Sequence, residues 1–150
     1  MAKQLWLNDL EKGMELQSES RTVIQEDISK FAEAGGDINP LHLDPKYASQ
    51  RRPFRKIIAH GELAASIISA LGAQTIGYES IVLHKLTKTR LLRPLYPGDT
   101  VHIKMTVRKI EDHGSTGDVS FDGTLINQKG TAIAIGEREL TMFRESERSE

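Results

Sequence analysis

The second half of the chain contains four long segments in which apolar and polar residues partly alternate. This period-two pattern is typical of strands that are buried on one face. The segments cover residues 80–94, 99–110, 118–127 and 131–143. The turn-forming sequence "YPGD" precedes the second segment, "EDHGSTGD" precedes the third and "NQKG" precedes the fourth. The pattern therefore predicts about four consecutive antiparallel strands.

The first half of the chain has mainly helical spacing. Residues 20–25 are compatible with one short strand, and the apolar positions in residues 26–34 recur with the spacing of an amphipathic helix. Gly35 and Gly36 are expected to end that helix, because glycine adopts the left-handed conformation that stops helices.

The most hydrophobic segment predicts a long central helix from Gly61 to about Ala73. Its core-facing positions are Leu63, Ala64, Ile67, Ile68 and Leu71. Helices followed by antiparallel strands indicate an α+β fold, in which the helix packs on one face of a curled antiparallel sheet. We predict a single domain over residues 1–150, with a core over about 20–143 and a polar tail, 144–150, that frays.

Composition excludes several classes of function. Twenty Lys and Arg residues balance 21 Asp and Glu residues, and a net charge of −1 provides no general field for nucleic acid or membrane lipid. Cysteine is absent, which excludes disulfides, thiolate metal sites and cysteine nucleophiles. No apolar run is long enough to span a bilayer, and the N-terminal sequence does not resemble a secretory signal. We therefore expect a cytoplasmic protein without a membrane anchor.

Candidate chemistry is concentrated in "GGDINPLHLDP", where Asp37 and His42 are five residues apart. Pro40 disfavours helical geometry at Asn39, so this stretch is expected to be a loop of defined shape. Asn39 is expected to hydrogen-bond the local backbone, and Asp44 is expected to cap a short helix that follows.

Three blocks of this sequence resemble the (R)-specific enoyl-CoA hydratases and the wider MaoC-like dehydratase family. The first is "FAEAGGDINPLHLDPKYAS", which carries the family pattern at Gly36, Asp37, Asn39, Pro40, Leu41, His42 and Ala48. The second is "IAHGELAAS" and the third is "RPLYPGDTV". The resemblance covers roughly residues 20–142. Two positions depart from the pattern: Gly35, where Ser or Thr is common, and Glu62, where an apolar residue is common.

The resemblance implies a hotdog fold and a homodimer or higher homo-oligomer joined at sheet edges. It also implies reversible syn hydration of trans-2-enoyl thioesters, carried by coenzyme A or acyl carrier protein, to (3R)-3-hydroxyacyl thioesters. Asp37 and His42 match the catalytic pair, and Gly61 matches the residue whose N–H binds the thioester oxygen. Ser69 matches a hydroxyl position near the pair in some members. No metal or organic cofactor is implied.

The residue types suit this chemistry on their own terms. A neutral imidazole and a carboxylate that converge on one water can orient it and accept its proton. Gly61 is placed at the start of a helix, where free N–H groups favour developing negative charge.

Several alternatives stay open at this point. His60 precedes Gly61 and either contacts substrate or orients the loop, whereas His84, His102 and His113 lack the paired spacing of a metal site. Cations in one strand, Lys85, Lys88, Arg90 and Arg93, form either a solvated face or contacts to coenzyme A phosphates. The rival functions are an acyl-thioester hydrolase using Glu62, a non-catalytic acyl-binding partner subunit, and a regulatory acyl-thioester sensor.

Overall fold

Four α-helices and six β-strands make up the computed structural model, which describes residues 3–145. The helices are α1 (Gln25–Gly35), α2 (Pro40–Leu43), α3 (Pro45–Ser49) and α4 (Gly61–Ile76). The strands are β1 (Glu15–Gln17), β2 (Arg21–Thr22), β3 (Ile81–Leu91), β4 (Thr100–Asp112), β5 (Thr116–Ile126) and β6 (Ala132–Phe143). A short 3-10 helix, Leu7–Asp9, precedes β1.

The strands form one antiparallel sheet in the order β1-β4-β5-β6-β3, with β2 also paired to β4. The predicted antiparallel strands are therefore confirmed. The predicted turns are tight, with Gly98 at φ 95° and Gly130 at φ 75°, where glycine avoids the steric cost of a side chain. Consecutive strands are not always neighbours: β3 pairs with β6, so residues 92–99 carry the chain from one end of the sheet to β4.

Helix α4 packs on the inner face of this curled sheet and supplies the centre of the core. Its buried side chains join those of β4, β5 and β6 in one apolar cluster. Burying one apolar side chain of this size stabilises the fold by about 1.5–3 kcal/mol. The contact with the sheet therefore explains why α4 has so few polar residues. None of the helices between residues 3 and 145 has both the length and the apolarity needed to cross a membrane.

Helix α4 is three residues longer than predicted, and Gly72 lies within it. A Cβ at Gly72 would come within 3.3 Å of the Met105 sulfur, so this glycine allows close approach of helix and sheet. The helix ends at Ile76, and Gly77 follows with φ 96°.

The N-terminal region extends the core beyond the predicted bound near residue 20. Leu7 and Leu10 belong to the buried cluster, and the sequence pattern missed β1 altogether. Strand β2 spans two residues of the predicted six. Both short strands are defined by their pairing with β4, which is a tertiary contact. Two or three residues are too few to show an alternating pattern in the sequence.

The first two residues of the predicted fraying tail are hydrogen-bonded. The Arg144 N–H donates to the Ser115 carbonyl at 3.0 Å, and the Glu145 N–H donates to Asn8 Oδ1 at 3.0 Å. Residues 146–150 of the predicted tail lie outside the described residues.

A charged network ties β3, β5 and β6 together on the sheet face opposite α4. Lys85 Nζ lies 2.8 Å from Asp118 Oδ2 and 3.5 Å from Glu139 Oε1. The Thr141 hydroxyl donates to Asp118 Oδ1 at 2.7 Å. These hydrogen bonds lower the pKa of Asp118 to about 2. The hydrogen bond from Lys85 has the largest effect, and that from Thr141 the second largest.

The shifted pKa of Asp118 predicts a specific loss of stability in acid. The folded carboxyl binds its proton less readily than the unfolded one, whose pKa is 3.8, so its stabilisation is complete above about pH 4 and is lost as the pH falls towards 2. As the pH is lowered from about 4 to 2, we expect the urea midpoint of Asp118→Asn to fall less than that of the wild type. The urea midpoint of Thr141→Val should fall by an intermediate amount. An Asp118→Asn variant with the wild-type pH dependence would contradict this role.

Candidate active site

The loop from Asp37 to Asn39 joins α1 to α2 and is fixed by local caps. Helix α1 ends at Gly36, which has the left-handed φ of 80° that the two glycines predicted. Asn39 Oδ1 accepts a hydrogen bond from the Leu41 N–H at 3.0 Å, and Pro40 is the first residue of α2. The predicted loop is therefore wrong from Pro40 onwards. An Asn cap followed by proline stabilises the start of a short helix, and His42 lies on that helix.

His42 is buried, and its tautomer is set by a backbone carbonyl. Its Nδ1 lies 2.6 Å from the Ile58 carbonyl oxygen, which can only accept, so Nδ1 carries the hydrogen. In the neutral ring, Nε2 is then left as an acceptor. The Gln25 side chain donates to the His42 carbonyl at 3.0 Å and fixes the main chain of α2 to α1.

His60 contacts both members of the candidate pair, Asp37 and His42. Only 3% of its surface is exposed, and its Nε2 donates to the Asp37 carbonyl at 2.8 Å. Its ring lies against that of His42, with centroids 3.9 Å apart, and against Phe31 at 5.1 Å. His60 thus holds the Asp37 loop, the second of the two alternatives considered from the sequence. Its Nδ1 is buried and has no hydrogen-bond partner among residues 3–145.

Asp37 is exposed and lies close to the two imidazoles. Its Oδ1 accepts a hydrogen bond from the Asn39 N–H at 3.2 Å, which orients the carboxylate. One oxygen of Asp37, one ring nitrogen of His42 and one of His60 all lie within 4.8 Å of one another. The Asp37 carboxylate and the His42 ring therefore lie within the span of about 5.6 Å that two hydrogen bonds to a shared water cover.

The same three side chains could also hold a metal ion by distance alone. The second group with comparable spacing in the described chain is Glu111, His113 and Asp118. The Asp118 carboxylate is already bound to Lys85 and Thr141, so that group does not have three free donors.

A cavity of about 310 Å³ adjoins His42 and His60 and includes Gly61 and Ala64 at the start of α4. The His60 carbonyl accepts from the Leu63 and Ala64 N–H groups, while the Gly61 N–H has no acceptor among residues 3–145. A Cβ at Gly61 would overlap the Leu91 Cδ1 methyl. This glycine therefore presents a free donor, and a side chain in its place would require the exposed Leu91 to move.

The family profile of the MaoC-like domain matches residues 9–128. The chain belongs to the MaoC-like family.

Relatives with curated names support the assignment. Over 110 residues the chain is 34% identical to a protein of Aeromonas caviae named (R)-specific enoyl-CoA hydratase, a match covering 73% of this chain and 78% of that protein. It is 35% identical over 107 residues to a 3-hydroxybutyryl-CoA dehydratase of Methylorubrum extorquens, covering 71% of this chain and 66% of that protein.

A solved structure shows the same fold. The R-hydratase PhaJ1 from Pseudomonas aeruginosa, in the unliganded form, has a TM-score of 0.82 and 29% identity, covering 96% of this chain and 89% of that one. This similarity confirms the predicted hotdog architecture for this MaoC-like protein.

Ser69 lies two helical turns beyond Gly61 and does not line the His42 cavity. Its hydroxyl accepts a hydrogen bond from Arg138 Nε at 2.7 Å. A substrate-binding role for Ser69 stays a prediction.

Arg138 was missed by the sequence analysis, although it occupies an inward-facing position of β6. Burial lowers the pKa of its guanidinium. Besides Ser69, it donates to the carbonyls of Ala65, Lys88 and Glu137 and to the Thr89 hydroxyl, at 2.7–3.0 Å. All its N–H groups are thereby used, and α4 is tied to the edge strand β3. The sequence does contain a sign of this buried arginine. The alternation in "GERELTMF" places Arg138 on the same face of the strand as the buried apolar residues.

The hydrogen bonds of the two histidines predict opposite tautomers. At about pH 8, where free imidazole is neutral, we expect His42 as the Nδ1–H form and His60 as the Nε2–H form. Long-range ¹H–¹⁵N NMR correlations distinguish these forms, and His60→Phe, which keeps a ring in the stack, assigns the His60 signals. An Nε2–H form at His42 would contradict the geometry, since Nε2 could then not accept a proton from water.

Proposed function

We propose that this protein hydrates trans-2-enoyl thioesters reversibly to (3R)-3-hydroxyacyl thioesters, by syn addition of one water. The proposal rests mainly on the distance of at most 4.8 Å between an Asp37 oxygen and a His42 nitrogen. The names of the similar proteins from Aeromonas caviae and Methylorubrum extorquens support the reaction class.

The water is held by two acceptors that are themselves fixed. His42 Nε2 accepts one O–H, since Nδ1 donates to Ile58, and the Asp37 carboxylate accepts the other. As the water oxygen bonds to C3, one of its protons stays in the new hydroxyl and the other passes through the pair to C2. The elements of one water are thereby added, and dehydration is the reverse path.

The Gly61 N–H is proposed to bind the thioester oxygen as enolate charge develops. Its place at the N-terminus of α4 adds the favourable end of the helix dipole. A preorganised donor of this kind lowers a barrier by about 3–4 kcal/mol in comparable sites.

Removing either member of the pair should abolish most of the activity. We expect Asp37→Asn and His42→Ala each to lower kcat for hydration of crotonyl-CoA by about 10²–10⁴-fold, because positioned acid–base catalysis contributes that much. Loss of the enoyl absorbance measures the rate. Matched controls are Asp122→Asn and His102→Ala, which lie on β5 and β4 outside the cavity. More than about a tenth of wild-type activity in either pair variant would overturn its role.

Thioester hydrolysis by Glu62 is the rival that the same assay separates. Glu62 is exposed on the first turn of α4 and does not line the His42 cavity. Thiol release from a saturated acyl-CoA reports hydrolysis, whereas loss of enoyl absorbance reports hydration. The presence of Asp37 and His42 also speaks against a non-catalytic partner subunit.

We further propose a homodimer or higher homo-oligomer formed at the free edge of β3. Within residues 3–145, strand β3 is paired on one side only, to β6, and exposes Val82 and Leu83 by 46% and 56%. Exposed sheet edges are usually covered or paired. A cytoplasmic location stays a prediction.

Light scattering tests the proposed assembly. We expect a dimer or larger species at micromolar concentration, and Leu83→Lys should weaken it, because a charge in place of this exposed leucine would be costly to bury in an interface. Lys109→Ala, on β4 away from this edge, is the matched control. A wild-type monomer would contradict edge pairing.

A further inference from the structure

Positive charge is concentrated in the segment before α4. Arg51, Arg52, Arg55 and Lys56 are exposed, and no acidic residue occurs between Asp44 and Glu62. This local excess contrasts with the near-neutral chain and gives this region of the surface a positive potential.

A second cavity, of about 570 Å³, lies beside this segment and adjoins the His42 cavity. Lys56, Arg93 and Lys129 all line it. Arg93 and Pro94 line both cavities, so a ligand that extends out of the His42 cavity past Arg93 reaches the three cations.

These three cations have no carboxylate partner in the part of the chain that the structure describes. Among residues 3–145, no Asp or Glu oxygen lies within 4.0 Å of their charged nitrogens. Lys56 Nζ lies 3.8 Å from the centre of the Tyr96 ring, and Arg93 Nη1 donates to the Ala132 carbonyl at 3.1 Å. Lys85 and Lys88, which precede Arg93 in the chain, are paired with acids instead.

The one acid in this cavity is already engaged. Asp99 is buried, and its oxygens accept from the Tyr96 N–H at 2.9 Å and from Gln128 Nε2 at 2.9 Å. The lining therefore has three cations and one hydrogen-bonded carboxylate, a net excess of positive charge.

We propose that this cavity binds the phosphate groups of the coenzyme A portion of the substrate thioester. The proposal rests on the function proposed above, since the acyl end must lie beside His42 and Gly61. Arg93 offers a planar guanidinium that can pair with two phosphate oxygens, and Lys56 and Lys129 offer point charges. A concave space of this volume suits a nucleotide-sized ligand better than the surface of a carrier protein.

A pair of thioesters separates phosphate recognition from chemistry. Crotonyl-CoA carries the phosphates, and crotonyl-N-acetylcysteamine presents the same enoyl thioester without them. We expect wild type to prefer crotonyl-CoA in kcat/KM, and Lys56→Ala/Lys129→Ala to reduce that preference at least about tenfold, as loss of hydrogen bonds to charged groups implies. Lys88→Ala, a cation paired to Glu137, should retain the preference.

Binding of adenosine 3′,5′-bisphosphate, measured by calorimetry, gives a readout that does not depend on activity. We expect binding to wild type, weakening of at least about tenfold in Lys56→Ala/Lys129→Ala and in Arg93→Ala, and partial rescue in Arg93→Lys. Added salt should weaken binding by wild type, because exposed charges are screened.

The outcomes separate the two proposals. Hydration of both thioesters without a preference for crotonyl-CoA overturns the phosphate site and leaves the proposed reaction standing. Binding of the bisphosphate without hydration of either thioester supports the site and overturns the reaction. A third outcome is that the wild type prefers an enoyl acyl carrier protein, that the double variant loses this preference, and that the bisphosphate does not bind. This outcome rejects coenzyme A as the ligand of the cations in favour of an acidic carrier protein.

Discussion

The hydrogen bond from His60 to the Asp37 carbonyl is the contact on which the candidate site depends. His60 immediately precedes α4, and α4 is fixed by the core of the sheet. Through His60, a helix that is packed in the core sets the position of a loop whose residues, 37–39, are all exposed. The same ring supports His42 at 3.9 Å, so one buried side chain places both members of the pair.

Charged groups divide between two kinds of surface. On the sheet face opposite α4, Lys85 and Arg108 are paired with acids from neighbouring strands, and these pairs link the strands to one another. Around the mouth of the site, Lys56, Arg93 and Lys129 lack acidic partners within the described chain. Paired charges serve the fold, while unpaired charges beside a cavity are available to a ligand.

Local chemistry was predictable from the sequence where neighbouring residues determine it. Gly36 ends α1, and Asp44 caps α3 by accepting from the Lys46 and Tyr47 N–H groups, as expected. Such contacts join residues at most four apart, so their pattern is visible in the chain. The short helix that contains His42 is not visible in this way, because a proline at the first position of a helix has the same sequence signal as a helix break.

Contacts between distant residues could not be read in this way. The carbonyl that sets the His42 tautomer belongs to Ile58, and the hydroxyl bound by Arg138 belongs to Ser69. Both pairings exist only once the chain has folded. Strands β1 and β2 were lost or shortened in the prediction for the same reason, since β4 defines them. The roles of Asp37, His42 and Gly61 came from the family resemblance together with their residue chemistry.

The most direct test of a single water held by Asp37 and His42 is stereochemical. Crotonyl-CoA is hydrated in deuterated water, the 3-hydroxybutyrate is released, its configuration is determined by chiral chromatography, and deuterium at C2 is located by NMR. One water held on one face predicts the (3R) alcohol with oxygen and deuterium added to the same side. Anti placement of deuterium would contradict the single-water geometry. A (3S) product would contradict the proposal that Gly61 orients the substrate so that the water attacks the face giving the (3R) alcohol.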